Sequence, residues 1–339
     1  MVGISFGRWQ GEPVLAVGTA LEGYLYLYRW RDGPLVAGRF PAGAFVVGPV
    51  LGDSDGDGET EIHLVDGGGR LRVLEALSSE EAAAYPVFSE VLRLLLADVD
   101  GDGRVEAVMA TPEGIEVYRR EGPGWTLAGS WGEGVLPLGL AAGDTGGSGR
   151  EDVIVSDLGG AIRVLSWEEG SLRELGDLPR DPGGAAAALA ALDTDGDGKA
   201  EILAGEKGGV KFYRWEGNRF VPAGRLGTPG LTPGTVVPVR GDDGPYLLVA
   251  GPDRYLWWEL EWREGRLRPK LAGGGRLPGH PTYLTAGRAQ GKWWLAVGTP
   301  GGLYLYPLPL RLRGEDNAAL CRITQGIDRG ETGARSWPG

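Results

Sequence analysis

Asparagine, glutamine, histidine, methionine and cysteine are nearly missing from this chain: among 339 residues there are two Asn, three Gln, two His, two Met and one Cys. The single cysteine, Cys321, excludes an intrachain disulfide and leaves the redox compartment open. His63 and His280 stand far apart, no serine sits in a nucleophile elbow, and Cys321 has no histidine nearby in sequence, so a nucleophilic triad has no support. No run approaches the roughly 18 apolar residues of a membrane helix, so membrane insertion is not expected. Basic clusters are also lacking. With 46 acidic against 34 basic residues the formal charge is −12, which argues against nucleic acid or an anionic membrane surface as partner. The opening MVGISFGRWQGEP has neither a basic n-region nor an apolar h-region. As written the chain is expected in the cytoplasm; a secreted or periplasmic location follows instead if a leader was removed. Scarcity of thermolabile residues, with 29 Arg against 5 Lys, points to a thermophilic source.

Glycine is abundant, at 62 residues, with 23 prolines, and hydrophobic residues make up 42% of the chain. These glycines punctuate regular apolar runs, as turns between strands do. An order of apolar strand, glycine loop, strand, glycine turn and aromatic strand recurs seven times. Its first loop can be anchored at Arg8, Asp53, Asp98, Asp144, Asp193, Gly241 and Arg288, at spacings of 45, 45, 46, 49, 48 and 47 residues. Such a period suits a four-stranded propeller blade. First strands read as continuous apolar runs, for example residues 92–97 (LRLLLA) and 187–192 (AALAAL), as strands packed on both faces do. Third strands alternate, as in residues 24–28 (YLYLY), 70–74 (RLRVL), 115–118 (IEVY) and 303–306 (LYLY). Helical patterning is confined to residues 78–85 (SSEEAAAY). The predicted fold is all-β: a seven-bladed β-propeller of four-stranded antiparallel blades in one domain, residues 1–313, followed by a flexible tail at 314–339.

Three of the first loops carry the sharpest motif: DSDGDGETE from Asp53, DVDGDGRVE from Asp98 and DTDGDGKAE from Asp193. Together with the period, they resemble the FG-GAP (VCBS-type) repeats of integrin α-subunit propellers and related bacterial proteins. The name-giving dipeptide stands at Phe6-Gly7. Calcium takes six to eight oxygens at about 2.3–2.6 Å, and acids at alternate positions can curl around one ion. Positions one, three and five would supply Asp53, Asp55 and Asp57, position seven the carbonyl of Glu59, and position nine Glu61. The second loop repeats this with Asp98, Asp100, Asp102, Arg104 and Glu106, and the third with Asp193, Asp195, Asp197, Lys199 and Glu201. Glu, Arg and Lys at position seven fit a backbone role. The family more often has Asp at position nine, so the longer Glu shifts coordination there. A fourth loop is degenerate: Asp144, Ser148 and Asp152 keep two carboxylates and are expected to bind weakly or not at all. Three Ca²⁺ sites are therefore expected, with the Asp144 loop a candidate fourth. Asp-Gly pairs also make good turns without metal, but three copies at one structural position favour the ion.

Clustered acids are thus committed to loops, which leaves Asp66, Glu113, Asp157 and Asp253 as the carboxylates open to glycosidase chemistry. Trp30, Trp167, Trp215 and Trp262 fall at or just beyond third strands, a recurrence that favours blade packing over ligand stacking. The leading functional expectation is a non-enzymatic, calcium-stabilised scaffold for a protein partner. A carbohydrate-binding propeller is the alternative, favoured by any exposed row of Trp rings, and a propeller hydrolase or lyase comes third. In a propeller, loops after first and third strands open on one face, and the others on the opposite one. Partners of integrin-like propellers generally use the face away from the calcium loops, where Trp131 and Arg254 are the expected anchors.

Overall fold

The computed structural model describes residues 3–19, 22–30, 34–43, 47–75, 83–87, 90–122, 124–179, 188–241, 244–277, 281–300, 302–308 and 321–323. Its strands form seven sheets of four, each a simple antiparallel meander in chain order. Blades one to seven span residues 3–41, 47–86, 93–131, 137–177, 188–227, 235–276 and 283–323. First strands of neighbouring blades touch all the way round, and the first strand of blade seven, Tyr283–Ala289, meets that of blade one, Gly3–Trp9. The molecule is a seven-bladed β-propeller. Among the described residues no helix is long and apolar enough to cross a membrane.

A twisted four-stranded sheet has two apolar faces and cannot cover either by itself. The core is accordingly divided into seven clusters, one in each seam between adjacent blades. The expected packing of the recurrent tryptophans holds: Trp30 and Trp167 are buried, while Trp215 and Trp262 are partly buried against the clusters of their seams.

The FG dipeptide has a packing explanation. The glycine just before the first loop is a pit, and the residue two before that loop in the next blade fills it. A Cβ at Gly287 would lie 2.0 Å from Phe6, one at Gly7 3.1 Å from Leu51, one at Gly52 2.8 Å from Leu96, and one at Gly143 2.8 Å from Ala191. Blades one, two, three and five therefore each dock a side chain on the bare backbone of the blade before, which sets the first loops at these seams in register; Ala97, Leu192 and Arg240 stand in place of the glycine at the other three.

Two expectations differ from the structure. Residues 83–85 of the helical candidate lie in the outer strand of blade two, Ala83–Pro86, because the third strand, Arg70–Leu74, offers them a ladder; residues 78–82 lie outside the described set. The outer strand of blade seven is Cys321–Ile323, paired with the third strand, Gly302–Leu308, at Leu303, Tyr304 and Leu305. That strand sits beyond Arg313, within the segment read as tail. His280 and the rest of that segment, 314–320 and 324–339, lie outside the described residues.

Candidate metal centres

Blades two to five carry nine-residue first loops, and one hydrogen-bond pattern repeats in all four. The carboxylate at position one accepts from the amides at positions four and six: Asp53 from Gly56 and Gly58 at 2.7 and 2.9 Å, Asp98 from Gly101 and Gly103 at 2.7 and 3.0 Å. Asp193 does so from Gly196 and Gly198 at 2.6 and 3.2 Å, and Asp144 from Gly147 and Gly149 at 2.7 Å each. To aim both amides inward, positions four and six take φ between 73° and 88°, where a side chain would be strained. In the 53–61, 98–106 and 193–201 loops the amides at positions five and seven donate to the carboxylates at three and five, as in Asp57 to Asp55 at 3.2 Å and Glu59 to Asp57 at 2.8 Å. The loop thus wraps its own carboxylates.

Position nine behaves differently. Glu61, Glu106, Asp152 and Glu201 open the second strands and are buried. Each accepts from the amide at position two: Ser54 at 2.8 Å, Val99 at 3.1 Å, Thr145 at 3.2 Å and Thr194 at 2.8 Å. The hydroxyls of Ser54, Thr145 and Thr194 donate to the same oxygens. Burial pushes the Glu106 and Glu201 carboxyls up to about 7, with neighbouring Asp charges acting in the same direction. Burial likewise raises Glu61, against the bonds from Ser54. Burial works against Asp193, yet Arg240 and the two glycine amides hold its carboxyl below the usual range.

Two oxygens on one calcium ion are at most about 5 Å apart. In the first loop Asp53, Asp55, Asp57 and Glu61 each place an oxygen within 4.8 Å of the others, and in the second Asp98, Asp100 and Glu106 do so. In the third the set is Asp193, Asp195 and Asp197. Asp102 and Glu201 fall outside these groups. The fourth loop, with Ser148 at position five, brings no such group together among the described residues. The all-oxygen, carboxylate-rich donor sets fit a hard divalent cation.

The loops are also fastened to one another. The amide at position eight donates to the position-one carbonyl of the preceding blade: Val105 to Asp53 at 3.0 Å, Glu151 to Asp98 at 2.8 Å, and Ala200 to Asp144 at 2.7 Å. Blade six has no such loop, and there Arg240 Nη2 donates to the Asp193 carbonyl at 2.7 Å. Position seven, read as a carbonyl position, has a side-chain role as well. Arg104, Arg150 and Lys199 lie across Gly56, Gly101 and Gly147 of the preceding loop, whereas among the described residues nothing lies across Gly196. Cations thus stand where a preceding acidic loop exists, and Glu59 stands where none does. Sequence reading missed Ser54, Thr145 and Thr194; their signal is a hydroxyl seven residues before the closing carboxylate. It also missed Arg119, Arg120 and Arg240, which approach from other strands.

On the opposite face, Asp66 caps its turn by accepting from Gly68 and Arg70 amides at 2.9 and 3.1 Å and pairs with Arg70 and Arg72 at 3.0 and 2.8 Å. Asp157 repeats this with Ala161 at 2.9 Å and Arg163 at 2.6 Å. His63, in the second strand of blade two, is fully buried, faces Ser54 Oγ at 3.0 Å and meets Trp125 edge-on. Trp131 ends the outer strand of blade three, packed on the seam to blade four with Arg163 5.8 Å above its ring. Arg254 opens the third strand of blade six, with 46% of its side chain exposed beside Asp253 at 3.5 Å.

A blade repeated seven times, four times with a wrapped first loop, defines a repeat β-propeller. The chain carries FG-GAP-like repeats: the model of that family matches residues 98–155 and 144–204. It is a seven-bladed propeller consistent with the integrin α type. No curated protein matches the sequence. Similar solved structures are those of BBS1N in complex with ARL6DN, one soaked with lead and one with mercury. Their TM-scores are 0.68 and 0.67, each at 15% identity, covering 91% of this chain and 93% of the other. At that identity the likeness concerns the fold.

Proposed function

We propose that this propeller is a calcium-stabilised, non-enzymatic scaffold that binds a protein partner. The observation that carries the metal reading is the convergence of Asp53, Asp55, Asp57 and Glu61 on one ion-sized volume. Asp53, Asp55, Asp57 and Glu61 would hold calcium in blade two, Asp98, Asp100 and Glu106 in blade three, and Asp193, Asp195 and Asp197 in blade five. The ion would neutralise grouped carboxylates and tie the first and second strands of each blade together.

The scaffold reading draws support from the repeat family and from a similar propeller, BBS1N, that is held in a complex with ARL6DN. Asp66 and Asp157, two of the acids open to glycosidase chemistry, are bound to arginines and turn amides and held below the usual carboxylate range, although burial opposes this. That suits structural caps better than a proton donor. Among the described residues the tryptophans are buried or half-buried, several of them packed on the seam clusters, which favours a packing role over a row of open rings for carbohydrate. Arg254, on the face away from the acidic loops, is the better anchor to test, since Trp131 already serves the core.

Elemental analysis after dialysis against calcium should find about three ions per chain, and Asp195→Ala should remove one. Chelation should lower the melting temperature, because a ligand at 100 times its dissociation constant stabilises by about 2.7 kcal/mol per site. A metal-free protein after such dialysis would refute the calcium reading. Arg254→Glu should weaken capture of the native partner at unchanged calcium content; full capture would move the partner surface elsewhere.

A further inference from the structure

Arg120 stands where other blades have tryptophan. Aligned on their Gly–Gly starts, the third strands of blades three and five read GIEVYRRE (Gly114–Glu121) and GVKFYRWE (Gly209–Glu216), so Arg120 matches Trp215. Trp30 and Trp167 occupy the corresponding place in blades one and four, and in the longer third strand of blade six Trp262 stands two residues further along the same face. In blades three and six this end of the strand reaches the first loop of the preceding blade. Trp262 Nε1 donates to the position-two hydroxyl of blade five, Thr194 Oγ1, at 3.0 Å. Arg120 Nη1 donates to the position-two hydroxyl of blade two, Ser54 Oγ, at 3.2 Å. The two side chains make the same bond, one with a neutral indole and one with a full positive charge.

That charge sits among the candidate ligands of the 53–61 loop. Arg120 Nη2 lies 3.3 Å from Asp55 Oδ2 and 2.6 Å from Glu75 Oε1, and Nη1 lies 3.7 Å from Glu61 Oε2. Its side chain is only 9% exposed, so solvent and salt screen it weakly. In the 193–201 loop the ion pair found among the described residues is that of Asp193 with Arg240, at 3.1 Å, and Arg240 is 58% exposed. A divalent ion entering the first loop meets a buried guanidinium already bound to two of its ligands. An ion entering the third meets an indole and two better solvated arginines, Arg240 beside Asp193 and Arg214, whose charge reaches Asp195.

We propose that Arg120 is a built-in competitor of the metal, which sets the affinity of the 53–61 loop below that of the 193–201 loop and makes it the site that empties and fills with changing calcium. The inference rests on the calcium reading above and adds a rank order that the loop sequences alone contradict, since DSDGDGETE and DTDGDGKAE hold the same four carboxylate positions.

The blades supply their own exchange experiment. Arg120→Trp keeps an N–H donor for Ser54 and removes the charge; Trp262→Arg does the reverse. In calcium titrations by calorimetry, with Asp55→Ala and Asp195→Ala proteins identifying the two steps, Arg120→Trp should tighten the 53–61 step about tenfold, the scale of one poorly screened charge contact. Trp262→Arg should weaken the 193–201 step by a similar factor. Arg120→Gln should tighten the 53–61 step in the same direction, and it serves as the test if the bulkier variant does not fold. An unchanged or weaker 53–61 step in the Arg120 variants would overturn the proposal alone, showing the guanidinium to be neutral or a loop organiser. Absence of any calcium heat in the parent protein would overturn the metal reading together with it.

Discussion

Asp66 shows how much one side chain does away from the acidic loops. Its carboxylate is almost fully buried and takes two backbone amides and two guanidiniums. Burial alone would raise its pKa, but Arg72, the Arg70 and Gly68 amides and the Arg70 charge together bring it below the ordinary value. A depressed folded pKa means that ionised Asp66 stabilises the fold above its unfolded pKa of about 3.8, and that this stabilisation is lost as pH falls through the lower folded value. Asp66→Asn should therefore cost about 1–3 kcal/mol at pH 7, the penalty for leaving buried donors poorly paired. Melting curves from pH 7 down to pH 3 should show the gap from the parent protein closing below about 3.8. A gap that stays constant over that range would mean that shape, not charge, is what Asp66 contributes.

At the scale of elements, the last strand bears the heaviest consequence. Cys321–Ile323 pairs with residues 303–305 and supplies the fourth strand of blade seven. Without it the third strand, Gly302–Leu308, would become an open edge with unpaired amides and carbonyls. Truncation after Arg313 should lower the melting temperature and increase aggregation, while truncation after Ile323 should leave both nearly unchanged. Equal melting of the two truncated proteins would show that three strands suffice for blade seven.

For the whole molecule, the question is how the ring closes. Among the described residues every blade is built from consecutive strands, and none of these strands crosses from one end of the chain to the other to latch blades one and seven. Closure rests on packing: Phe6 on Gly287, the Phe6 and Trp30 rings 5.0 Å apart, and Trp30 and Trp294 6.1 Å apart. Gly287→Ala should destabilise by about 1–3 kcal/mol through overpacking. In a Phe6→Ala background the same change should cost little, and a double-mutant cycle by denaturant unfolding measures that coupling. Additive costs would place the closure energy elsewhere in the seam.

Period and alternation were enough to determine the propeller, its seven blades and the loops that gather carboxylates, because a blade repeats its chemistry every 45 to 49 residues. The turn chemistry of Asp, Gly and Glu in the 53–61, 98–106 and 193–201 loops is local, and local chemistry is legible in a string of residues. Contacts between blades are not. That Val105 braces Asp53, that Lys199 lies over Gly147 and that Arg120 enters the loop of the blade before it depend on two segments about a blade apart meeting across a seam. The same holds for Cys321–Ile323, too short and too weakly patterned to read as a strand, which becomes one because Leu303–Leu305 offers it an unpaired edge. Only the folded structure brings these partners together: Val105, Lys199 and Arg120 meet groups of the preceding blade, and Cys321–Ile323 meets the open edge of its own.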